Sequence, residues 1–164
     1  MSSRAPLRRL IVLSLWLTWF ALPPGPASAQ TPLAVVVNAK NDVADIKGAQ
    51  LTEILLGRVS VWPNGRRITV VLREPESAER AAVLQACCHM SVDSYRKRML
   101  QAVFTGEASA EPKTVTSAAF VKKFVANVPG AIGFIPLSEV DDTVRVVSLA
   151  GHRPGEAGYT LTVP

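Results

Sequence analysis

The sequence predicts an α/β domain built on a mostly parallel sheet flanked by helices, and three observations carry that prediction. Short apolar runs alternate along the chain with stretches of helical periodicity. The runs are apolar throughout rather than at every second residue, as expected of strands covered on both faces. Caps and turn residues separate the two kinds of segment at almost every junction. Strand–helix alternation of this kind places helices over a covered sheet.

Taken in order, residues 33–37 (LAVVV) read as a buried strand ending at Asn38, and residues 38–45 read as a polar loop. Residues 50–56 (QLTEILL) put Leu51, Ile54 and Leu55 on one helical face, and Gly57 ends the helix. Pro63-Asn64-Gly65 is a turn signal, and residues 68–72 (ITVVL) form a second buried strand. Arg73-Glu74-Pro75-Glu76 reads as a loop. Ser77 then stands where an N-cap belongs, ahead of a helix from 78 to about 89. Ser91 caps a helix over 92–104, and Ser117 caps another over 118–127, which Pro129-Gly130 stops. Residues 131–135 (AIGFI) and 144–147 (VRVV) are further strands, and residues 159–163 alternate like an edge strand.

The first 29 residues read as a cleaved secretory signal. Arg4, Arg8 and Arg9 precede an apolar stretch over 10–22, then helix-breaking prolines and the small residues Ala27-Ser28-Ala29. The apolar stretch is too short to span a bilayer core of about 30 Å. Cleavage near Ala29/Gln30 would leave a single domain over residues 30–164, periplasmic or secreted. Removing the leader takes the 18 basic residues to 15 against 13 acidic ones, and this near-neutral balance excludes a nucleic-acid partner attracted by charge. The two cysteines are adjacent, and neighbouring residues rarely bridge without strain. One thiol is expected in the core with its neighbour, of Cys87 and Cys88, partly exposed.

Catalytic chemistry is not indicated. His89 and His152 are the only histidines, and Cys87, Cys88 and His89 are too close in sequence to face one another on a helix. No phosphate-cradling glycine loop or nucleophile elbow is present. We therefore assign no catalytic residue, metal or cofactor, and expect a non-enzyme.

A binding site is better signalled. A helix N-terminus carries unpaired N–H groups and the positive end of the macrodipole. Ser77 could add a hydroxyl donor there, and Arg73 a planar fork matched to an oxyanion. The alternative is that Ser77 only caps its helix and Arg73 is a solvated loop residue. Ser117 has the same two readings. Asn38, at the carboxyl end of the first strand, would line the crevice of an open α/β sheet, or else make a turn. Glu74, Glu76 and Glu79 crowd the same turn and would repel an anion unless they point away.

Three segments in order resemble the phosphate-binding protein family of ABC transporters, within the type II periplasmic-binding fold. These are Leu51 to Gly57 followed by Trp62, the strand and Arg-x-x-x-Ser of ITVVLREPES ending at Ser77, and Pro129-Gly130-Ala131-Ile132-Gly133-Phe134-Ile135. The resemblance covers about residues 33–148 and implies a single periplasmic-binding-protein-like lobe. It also implies that Arg73 and Ser77 contact phosphate or a related oxyanion. Where the family continues Ser-Gly-Thr, this chain has Ser77-Ala78-Glu79, with an acid in place of a hydroxyl donor. Phosphate keeps a proton at neutral pH, so a selective site needs an acceptor. Glu76, Glu79 and Asp42 are the candidates. The expected partners are inorganic phosphate or a similar oxyanion and a membrane transporter or another exported protein, and a homodimer could rebuild the two-lobed clamshell. The alternative function is an exported interaction or regulatory module that keeps the fold without the ligand.

Overall fold

The structure, a computed structural model, describes residues 30–164, so the leader read over residues 1–29 lies outside the described residues. Its elements are β1 (Thr31–Asn38), β2 (Asp45–Ile46), α1 (Gly48–Leu55), β3 (Thr69–Arg73), α2 (Ala78–Cys88), α3 (Val92–Phe104), β4 (Lys113–Val115), α4 (Ala118–Asn127), β5 (Ala131–Pro136), β6 (Val144–Leu149) and β7 (Thr162–Val163). No helix among the described residues is long and apolar enough to cross a membrane.

The sheet runs in the order β2-β6-β1-β5-β3-β4, and β7 pairs with the first residues of β1. β3 is parallel to β4 and to β5, and β2 is parallel to β6. β1 alone is reversed, antiparallel to β5 and to β6. The sheet is thus mostly parallel, with one reversed strand at its centre. That reversal decides which residues share an edge of the sheet.

Helices cover both faces, which is why the strands are apolar at successive positions. Leu33, Val35 and Val37 of β1 join Leu72, Ile132 and Phe134 in the larger core beneath α1, α2 and α3. Ala34, Val36, Val71, Ala131 and Ile135 point to the other face, against α4. The α4 face is lined by small residues, so the helix lies close. A Cβ on Gly133 would sit 2.5 Å from Val121 Cγ1 and 3.0 Å from Val125 Cγ2.

The capped starts of α2, α3 and α4 fall where the sequence places them: Ser77, Ser91 and Ser117 each accept from the backbone N–H three residues on. His89 closes α2 in the left-handed region, at φ 53°. Three local expectations change. Residues 45–46 form a short strand rather than a loop end, and residues 113–115, to which the sequence assigns no element, form β4, both held by pairing to a neighbour. The tail pairs only at Thr162–Val163, because Tyr159 and Leu161 are anchored differently: the Tyr159 hydroxyl donates to Leu33 O at 2.6 Å, and Leu161 O accepts from Leu33 N at 3.0 Å. Cys88 is buried, Cys87 is half-buried and both are free. Burial pushes the thiols up to about 12 at Cys87 and about 11 at Cys88, so they stay protonated at neutral pH.

Candidate functional site at the carboxyl edge of the sheet

β3 ends at Arg73, which pairs in parallel register with Val115 at the end of β4. The chain turns immediately after each strand, with Glu74 N donating to Val115 O at 3.0 Å. α2 then starts from Ser77 and α4 from Ser117. The structure therefore brings Arg73, Ser77 and Ser117 to one edge of the sheet, with two helix N-termini rising from the carboxyl ends of adjacent parallel strands. In an open α/β sheet this edge is where ligands bind.

Asn38 is not part of that group. β1 is reversed, so its carboxyl end lies at the amino edge of its neighbours, with Asn38 opposite Val144 at the start of β6. The Asn38 amide donates to Val125 O and Ala126 O, both at 2.8 Å, and its Oδ1 accepts from Lys40 N at 3.0 Å. It caps the last turn of α4 from below, and its hydrogen-bonding capacity is engaged inside the fold. The expectation that it lines the crevice assumed a parallel β1 and is corrected by the strand's direction. Asp42, one of the candidate acceptors, follows Asn38 on this side and accepts from Asn64 Nδ2 at 3.0 Å.

Arg73 is largely covered, with 17% of its side chain exposed. Its Nη1 donates to Glu79 Oε1 at 2.9 Å, and Glu74 Oε1 lies 3.9 Å from Nη2. Its Nε is buried without a partner. Glu79 therefore does not point away from the turn. Its carboxylate, itself only 21% exposed, lies on the guanidinium that the sequence assigns to an anion. Ser77 Oγ accepts from Arg80 N at 3.2 Å, which is the N-cap bond.

Arg80 is the residue that the sequence reading missed. It is buried, 8% exposed, in the first turn of α2. Its Nη1 donates to Arg73 O at 3.0 Å and reaches Thr114 Oγ1 at 3.4 Å, while its Nε is buried without a partner. Loss of water around the guanidinium lowers its pKa from the ordinary arginine value, with Tyr95, Glu76 and Glu111 opposing from a distance. The signal was legible: Arg80, Val83, Leu84 and Cys88 form the buried stripe of α2, so an arginine stood in an apolar register. Arg73 and Arg80 thus stand at the start of α2, with Glu79 and Glu74 beside Arg73 and Glu76 and Glu111 acting on Arg80.

No protein-family model matches the chain. The phosphate-binding protein PstS of Bacillus subtilis (strain 168) is 30% identical over 127 residues, which is 74% of this chain and 37% of that protein. In three dimensions the chain is similar to an ABC-type phosphate transport receptor from Vibrio cholerae, with TM-score 0.68 and 24% identity over 83% of this chain and 55% of that one. It is also similar to PstS from Borrelia burgdorferi, with TM-score 0.64 and 15% identity over 82% and 55%. The chain spans about a third to a half of the length of these relatives. The resemblance carried by the three sequence segments thus extends over most of the chain, in sequence and in fold.

Proposed function

We propose that this chain, a relative of the phosphate ABC transporter substrate-binding proteins over the span of one lobe, is an exported solute-binding domain that recognises phosphate or a related oxyanion without catalysis. The observation that carries the reading is Arg73, covered and adjacent to Ser77 at the start of α2, on the ligand-binding edge of the sheet. Arg73 would supply the charged fork, Ser77 its hydroxyl, and the first turn of α2 its free N–H groups. Ser117 stands at the neighbouring helix start and is a peripheral donor. After cleavage of the leader the domain of residues 30–164 would act in the periplasm or outside the cell. A membrane transporter, another exported protein or a second copy would face the open edge, where a second lobe closes a binding-protein clamshell.

Calorimetric titration of the purified protein with phosphate and with sulfate tests this, alongside Arg73→Ala. Saturable binding that Arg73→Ala removes is the expected result. Absence of heat up to millimolar phosphate overturns the reading. Trp62 is a poor reporter for the experiment: its Nε1 donates to Gly130 O at 3.0 Å, at the amino edge of β5 and away from Arg73.

A further inference from the structure

Building on the assignment of Arg73 and Ser77 to an anion seat, we propose that Glu79 is a tethered competitor in that seat. Its carboxylate occupies the Arg73 guanidinium in the resting chain, and an oxyanion binds by displacing it. Three observations converge on this role. First, the contact is direct and sheltered: Nη1 to Oε1 is 2.9 Å, with 17% and 21% of the two side chains exposed. Glu79 projects from the first turn of α2, where a negative charge is favoured by the same dipole and free N–H groups that would hold a ligand anion. A group so placed meets its partner at an effective concentration on the order of millimolar or higher, without diffusing.

Second, the occupation is incomplete. Glu79 takes Nη1 of Arg73, while Nη2 makes no hydrogen bond among the described residues and has only Glu74 Oε1 at 3.9 Å. A monovalent carboxylate on one nitrogen of Arg73 thus leaves Nη2 for a larger anion. A tetrahedral oxyanion has more oxygens and, as a dianion, twice the charge, so it can engage donors that Glu79 does not reach. Third, the Ser77 hydroxyl accepts from Arg80 N, and among the described residues no acceptor takes its proton. That proton can serve an incoming anion but adds nothing to the Arg73–Glu79 pair. The seat therefore selects against weakly binding monoanions, which cannot outcompete the tethered carboxylate, and in favour of multiply charged oxyanions.

The test is calorimetric titration with inorganic phosphate of the wild-type protein, Glu79→Thr, Glu79→Gln and the double variant Arg73→Ala/Glu79→Thr, each checked for folding by its thermal transition. The Gln variant keeps the side-chain shape and removes only the charge. Phosphate is expected to bind Glu79→Thr and Glu79→Gln at least tenfold more tightly than wild type, and the gain is expected to vanish in the double variant. Unchanged or weaker binding in both single variants, with wild type still binding, would overturn the competitor role and leave the phosphate assignment standing. No binding by any of the four proteins overturns both.

Discussion

The two edges of the sheet differ in the kind of contact that holds them, neutral hydrogen bonds at one and ion pairs at the other. At the amino edge, Asn38 holds two carbonyls of α4 and the Trp62 indole N–H holds Gly130 O, while Asn41 Nδ2 is buried without a partner. A Cβ on Gly130 would lie 1.9 Å from Arg67 O, so the backbones there meet without room for a side chain. At the carboxyl edge, two buried guanidinium nitrogens lack partners and the close contacts are ion pairs. Neutral hydrogen bonds to buried carbonyls and tight packing favour one rigid arrangement. Partly exposed ion pairs can exchange partners more readily.

If that contrast is right, substitutions at the amino edge damage folding and leave anion affinity alone. Trp62→Ala should have the largest effect, a loss of about 3–5 kcal/mol in denaturant unfolding, since a fully covered indole and its hydrogen bond both go. Asn38→Ala comes next. Two carbonyls at the end of α4 lose their donor, at a cost of about 2–4 kcal/mol by the same measurement. A loss of phosphate binding in folded Asn38→Ala protein would break the contrast outright.

Smaller effects belong to the other edge. Ser77→Ala removes the α2 cap and should cost about 1 kcal/mol. It should also weaken phosphate binding, whereas a cap with no other role would lower stability alone; calorimetry beside thermal unfolding separates these outcomes. The smallest effect lies off that edge, at Asp141 on the connection from β5 to β6, three residues before Val144. Hydrogen bonds from Lys122 first and Thr143 second hold its carboxyl at about 2, below the ordinary aspartate value. A depressed carboxylate contributes stability above its unfolded pKa and loses it as the pH falls toward the folded value, here from about pH 4 down to about 2. In Lys122→Ala, NMR titration should place the Asp141 midpoint nearer to the usual value of about 3.9. An unmoved midpoint would show that Thr143 alone holds the carboxylate.

Much of this molecule was determined locally. The starts of α2, α3 and α4 follow from Ser77, Ser91 and Ser117, because an N-cap hydroxyl satisfies a donor within its own turn. Strands β1, β3 and β5 follow from apolar runs that only a doubly covered sheet can bury. Arg73 and Ser77 were legible as a pair from the residues that connect a strand to a helix. Tertiary structure alone decided the rest. Strand direction is not written in an apolar run, since the same residues bury equally well either way, and it moved Asn38 to the opposite edge. β2 and β4 are too short to announce themselves and exist through their neighbours' ladders. The sequence also placed Glu79 near Arg73 without saying which way it points. That depends on the rotamers and burial of both side chains, which the packed turn sets, and it decides whether the acid stands aside from the anion seat or fills it.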